Sequence, residues 1–212
     1  SYNNHHYLIL LLCVLMTFTP AHANLSVDAK QGRIKRLHQL PALFKWQFLC
    51  LFLVVYTYAS VAKWYPDWMS GRVSELMFSA KKDMPLLGSI YSWELTPLIV
   101  AWGGILYDLV VIPALLYKPT RKLAFIVSIA FHIFNSVTFQ IGTFPYMMIG
   151  ASVLFFPPKT IRKVFRIRKP EVALKPTGPG PQHQHLITVL FCLFMLIQVV
   201  LPLRHFSIPG NV

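Results

Sequence analysis

The sequence predicts an all-α polytopic membrane protein, a transmembrane helical bundle of about six apolar segments, two of them short. Three observations carry this. Only 13% of the 212 residues are charged and 55% are apolar or aromatic, against roughly 25% charged in soluble domains. Charge is absent from long continuous runs, and a spanning helix needs about 20 largely apolar residues. The basic residues gather between those runs. The net charge of +13 therefore reads as topology, with basic loops facing the anionic surface of a lipid bilayer, and no nucleic-acid partner is expected. An aromatic content of 14% excludes a disordered chain. Cys13, Cys50 and Cys192 lie inside apolar runs, which excludes a disulfide scaffold and says little about redox compartment.

The first run, 7–19, ends at Pro20. The Ala21, His22, Ala23 triplet after it resembles a signal-peptide cleavage site. The residues before it contain no Lys or Arg, however, and the chain starts with Ser. The preferred reading is an uncleaved span in an excerpt of a longer protein. The second run, 46–62, is framed by Lys45 and Lys63, and the third, 95–117, is interrupted only by Asp108. Residues 123–158 contain no Asp, Glu, Lys or Arg, too long for one span and short for two. Gln140, Gly142 and Pro145 mark a break, which divides the run into spans near 123–140 and 145–157. The last run, 186–203, ends beside Arg204.

Loop charge orients these spans. With an external N-terminus the cytoplasmic loops are 20–45, 118–122 and 157–185, and they hold 15 of the 20 Lys and Arg residues. This matches the positive-inside rule. Cleavage after Ala23 would reverse it. The loop 157–185 has a basic, partly apolar half (161–169) suited to the membrane surface. Its Pro- and Gly-rich half (177–185) reads as a linker, in which His183 and His185 read as solvated, with no metal expected.

Polar groups inside spans are costly unless they face protein or water. Ser128, His132, Asn135, Ser136 and Gln140 fall on one helical stripe. That stripe must face the bundle, either as interhelical glue or as part of a site. Tyr56, Ser60 and Lys63 share a face, beside an interfacial belt of Trp64, Tyr65 and Trp68. Lys63 reads first as a snorkelling anchor at the external surface. Partial burial would instead leave some neutral amine, able to act as a base. Asp108 is open to three readings: it pairs with a cation, binds a substrate group, or sits near the cytoplasmic end, where charge costs less. Gly103 and Gly104 are expected to allow close helix approach. His5, Lys63 and the turn at Gln140 all fall on the external side. His132 lies about 12 Å below Gln140, so a site containing His5, Lys63 and His132 is geometrically possible.

Several residues carry a family resemblance. They are Asn3, Asn4, His5, His6, Tyr7 and Leu8; Ser26, Val27 and Asp28; Ala59, Ser60, Val61, Ala62 and Lys63, followed by Asp67 and Trp68; and Gly103 and Gly104 with Asp108. Phe131 and His132 with Asn135, Ser136, Phe139, Ile141, Gly142, Phe144 and Tyr146 complete the set. Their order and spacing resemble the vitamin K-dependent γ-glutamyl carboxylase family, whose membrane part is also called the horizontally transferred transmembrane (HTTM) domain. The resemblance covers 1–206. It implies a protein incomplete at both ends, with 207–212 opening a further external portion.

The resemblance implies use of vitamin K hydroquinone, O2 and CO2, with no metal, to convert glutamate in a protein substrate to γ-carboxyglutamate. Lys63 matches the family's base, which deprotonates the hydroquinone. His5 matches the histidine that assists the glutamate carbanion, Asn4 its neighbour, and His132 a histidine of the membrane core. Asn135 and Asp108 are supporting candidates. Lys63 follows Ala62, where animal members have a second lysine. The implied site faces the outside, periplasmic or lumenal in the endoplasmic reticulum. Two alternatives stand beside this reading: a protein of the same fold without carboxylase activity, and a quinone-linked membrane oxidoreductase.

Overall fold

The computed structural model describes residues 4–23, 26–34, 40–85, 87–139, 141–167 and 181–207. Among these, every regular element is a helix. The α-helices are α1 (Asn4–Thr17), α2 (Val27–Lys30), α3 (Ala42–Val61), α4 (Pro66–Met69), α5 (Arg72–Ser79), α6 (Gly88–Tyr91), α7 (Thr96–Leu116), α8 (Arg121–Phe139), α9 (Phe144–Ser152), α10 (Pro158–Val164) and α11 (Pro181–Ser207). Among the described residues, four segments are each long and apolar enough to cross a membrane: α3, α7, α8 and His185–Leu203 of α11. The expected six apolar segments are therefore all helical, and α1 and α9 are the two short ones.

The chain packs as two compact units, Ser1–Phe52 with Phe156–Val212, and Leu53–Phe155. In the first, α1 buries Leu8, Leu11, Leu12 and Leu15, one stripe at helical spacing. Fourteen residues are too few for a full span at 1.5 Å each. His5–Thr17 and Ala21–Lys30 pass the length test together as a pair bent by 57°. Ser26 caps α2 by accepting from Ala29 N at 3.1 Å. Tyr7 Oη donates to Gln198 Oε1 at 2.8 Å, joining α1 to α11. Of the linker expected over 177–185, residues 181–185 are helical instead, because α11 begins at Pro181; 168–180 lie outside the described residues. Leu186, Leu190, Leu193 and Leu196 of α11 are all exposed. Such a surface suits acyl chains rather than water.

In the second unit, α7 and α8 pack side by side, with α5 and α9 against them. The break in the charge-free run falls where the sequence puts it. Helix α8 stops at Phe139, and Gly142 turns the chain at φ +63°, a conformation that glycine adopts without a steric penalty. Helix α9 then starts with Pro145 in its first turn, a position that needs no amide donor. The end of α8 is held from outside. Lys81 Nζ donates to Thr138 O, where a cation meets the carbonyl end of the helix dipole. Tyr91 Oη bonds Thr138 Oγ1 at 2.9 Å, and Phe78 stacks on Tyr91 at 4.9 Å.

Candidate functional site

Lys63 lies two residues past the end of α3, within an aromatic belt. A snorkelling lysine there would extend outwards. Instead its side chain folds back: Nζ donates to Ala59 O at 2.9 Å and forms an ion pair with Asp108 Oδ2. The side chains are 21% and 7% exposed respectively. Asp108 is deep in α7, about 18 Å from its first residue and about 12 Å from its last at 1.5 Å per residue. It is therefore near neither end of α7, and it pairs with a cation, Lys63. The Trp68 ring centroid lies 5.6 Å from Nζ, within cation–π range.

Trp68 is itself anchored. Its Nε1 donates to Ala101 O at 3.1 Å, and Trp102 Nε1 returns a bond to Met69 O at 3.1 Å. These reciprocal bonds pin α4 to α7. The glycines do not act as expected. A Cβ on Gly103 would meet nothing within 4 Å, and one on Gly104 would meet only Lys63 Cε, at 4.0 Å. Among the described residues, no backbone approaches closely enough to require them.

One turn deeper, Ser60 Oγ donates to Ile105 O at 3.1 Å, and a buried polar cluster follows. Tyr56 Oη lies 3.0 Å from His132 Nε2, and Tyr107 Oη lies 3.3 Å from the same nitrogen. Tyr107 Oη donates to Ser128 Oγ at 2.9 Å, and Ser128 Oγ is 3.5 Å from Ser152 Oγ. Ser152 donates its own proton to Met148 O at 2.8 Å. The proton between the two serines therefore comes from Ser128, and that of Tyr107 goes to Ser128. The ring proton of His132 decides the rest. If it is on Nδ1, Tyr56 donates to Nε2; if it is on Nε2, the two phenol oxygens accept from it. In both cases Nδ1 is buried without a hydrogen-bond partner. The His132 ring meets Phe131, Tyr107 and Phe144 edge to face, at 5.6, 6.0 and 6.3 Å.

The stripe read on α8 thus divides. Ser128 and His132 enter the buried cluster. Ser136 is half-buried and bonds Tyr146 Oη at 2.9 Å. Asn135 is half-buried, and Gln140 lies outside the described residues. Two members of the cluster, Tyr107 and Ser152, were not singled out by the sequence. Tyr107 stands beside Asp108 in an otherwise apolar run, which is the signal that could have found it. Ser152 has only a hydroxyl in a short apolar helix to mark it.

Lys63, Asp108, His132 and Asn135 all belong to the second unit. His5 lies in the first, half-buried on α1, and Asn4 opens that helix with its side chain outside the described residues. The second unit therefore assembles an amine, a carboxylate, an imidazole and two phenols deep among apolar helices. In this pairing Lys63 is a cation held by Asp108; Nζ accepts a proton only from its neutral form, and the set can also offer hydrogen bonds to a polar-edged aromatic molecule.

A family model of the HTTM domain matches residues 1–159, which include all of these groups. No solved structure matches the chain. Four helices fit to span a bilayer, the buried polar core and that match agree: the chain is a membrane protein belonging to the HTTM-domain family.

Proposed function

We propose that this chain forms the membrane core of a vitamin K hydroquinone-dependent carboxylase acting on glutamate in a protein substrate. The observation that carries the reading is the inward fold of Lys63 onto Asp108. A surface anchor has no use for a carboxylate in the middle of the next long helix. A proton-accepting amine does, because the carboxylate stabilises the ammonium that proton uptake creates.

Two features support a hydroquinone as the bound group. His132 Nδ1 is buried and unpartnered, and Tyr56, Tyr107, Phe131 and Phe144 surround the ring with aromatic surface. When bound, the hydroquinone would supply, with O2, the basicity needed to remove a γ-hydrogen from glutamate, which is beyond any side chain whose pKa lies near ambient pH. From its neutral form, Lys63 Nζ would take the hydroxyl proton and Asp108 would hold the resulting charge. His132 would orient the ring edge, its own ring fixed by Tyr56 and Tyr107. Asn135, one turn along, would add an amide. His5, which belongs to the other unit, takes carbanion or CO2 handling from the family resemblance alone. The excess of Lys and Arg in the loops taken as cytoplasmic supports an external active face, periplasmic or lumenal.

The test uses membranes that contain the protein as it occurs in its cell, given reduced vitamin K, O2, labelled CO2 and a glutamate-rich peptide. Label should enter the peptide with wild type and vanish with Lys63→Ala. Epoxide without label would favour a quinone-linked oxidoreductase. If neither product forms across a range of peptides and quinones, the carboxylase reading fails. One observation favours the remaining alternative, a non-enzymatic HTTM protein: Lys63 with Asp108, Tyr56 with His132 Nε2, and Tyr107 with Ser128 are already paired, as in a purely structural network.

A further inference from the structure

A different part of the molecule carries an inference that is independent of the carboxylase reading. Between Asp108 and Glu171 the chain has no acidic residue and nine basic ones, confined to 118–122 and 159–169. The second group begins where the charge-free run ends, just after Phe155 and Phe156. Its described part contains α10 and the residues that follow it, through 167.

Four cations lie here, at Lys159, Arg162, Lys163 and Arg166. Among the described residues the ion pairs are Arg33 with Asp28 and Lys63 with Asp108, so none of the four meets a carboxylate. Interleaved with them, Val164 is 68% exposed and Phe165 63%. A basic segment with no carboxylate partner among the described residues and with exposed apolar side chains, leaving a run of lipid-compatible helices, is poorly matched to open water. It matches the boundary of an anionic bilayer, where cations meet phosphate and apolar side chains enter the acyl region.

We propose that residues 157–167 form an interfacial site for anionic phospholipid headgroups, with Lys159, Arg162, Lys163 and Arg166 on the phosphates and Val164 and Phe165 inserted between the chains. The occupant is the bilayer surface, because the segment emerges directly from apolar helix and carries both features a lipid boundary selects. A soluble polyanion would use the charge and leave Phe165 in water.

The full chain reconstituted in nanodiscs tests this. With an equal mixture of phosphatidylglycerol and phosphatidylcholine, mass spectrometry of the released protein should show preferential retention of phosphatidylglycerol. The variant Lys159→Gln, Arg162→Gln, Lys163→Gln, Arg166→Gln should reduce that preference by about fivefold or more, since one surface cation is worth about that factor. High salt should weaken it as well. A second measurement needs no variant: amide exchange over 158–167 in the wild type should slow in discs containing phosphatidylglycerol relative to phosphatidylcholine alone. No lipid preference in the wild type, an undiminished preference in the variant, or equal exchange in both discs would each overturn the proposal. So would tight binding of a short RNA to the segment with no response to lipid charge.

Discussion

The ammonium of Lys63 turns back along its own helix and meets the carboxylate of Asp108, 45 residues away in sequence and deep in α7. Taking two charges out of water is expensive, and their mutual attraction roughly offsets that cost. Removing one partner leaves the other uncompensated. Asp108→Ala and Lys63→Ala should therefore each destabilise the fold by about 3 kcal/mol. The pair Lys63→Met with Asp108→Leu should cost clearly less than either single change. Unfolding in mixed detergent micelles measures this, and additive losses in the double variant would contradict a buried pair.

The path of Lys63 marks where the sequence stopped being informative. The apolar runs were legible because bilayer thickness fixes helix length, so α3, α7, α8 and α11 could be placed from composition alone. The break between α8 and α9 was legible because Gly142 and Pro145 have local conformational consequences. The direction of a lysine side chain has no local signature. At the end of an apolar run, outward snorkelling and inward pairing look the same until the partner's position is known. Asp108 was noticed as intramembrane, yet only the three-dimensional packing of α3 on α7 joins it to Lys63. The same holds for Ser152, whose role comes entirely from its distance to Ser128.

The buried cluster predicts a graded series. Ser128 stands between Tyr107 and Ser152, so Ser128→Ala leaves the Tyr107 proton without its acceptor. An orphaned buried donor costs about 1–3 kcal/mol. Ser152→Ala removes the end of the chain, with a long bond to Ser128 and a bond to Met148 O, an acceptor within the same helix, and it leaves no buried donor at Ser152 itself, so it should cost less. Tyr56→Phe should fall near the typical value for one hydrogen bond, about 1 kcal/mol. Thermal unfolding of the three variants should rank Ser128→Ala as the most damaging. The reverse order would mean that the hydroxyl chain does not run as assigned.

Two glycines should respond in opposite ways. Gly71 has φ +80°, and a Cβ there would lie 3.0 Å from Leu98 N and Pro97 C. That is backbone at the start of α7, which cannot swing aside. Gly71→Ala should cost about 1–3 kcal/mol in strain and loosen α4 and α5 from α7. Gly103 has helical backbone and open space around it. Gly103→Ala should be neutral or gain up to about 1 kcal/mol from helix propensity. Melting temperatures of the two variants decide the point, and equal losses would restore a packing role for Gly103.

The orientation of the whole arrangement rests on loop charge, and it can be measured directly. If 20–45 is cytoplasmic and 63–92 external, a cysteine at Ser70 will react with a membrane-impermeant maleimide added to intact cells, and one at Gln31 will react only after permeabilisation. Both residues are exposed on the protein, so failure to label would report the membrane and not burial. Cys13, Cys50 and Cys192 would first be replaced by serine to clear the background. The reversed pattern would place the Lys63 end of α3 on the cytoplasmic side. It would also make cleavage after Ala23 the better account of the first apolar run, because a free residue 24 outside requires that inversion.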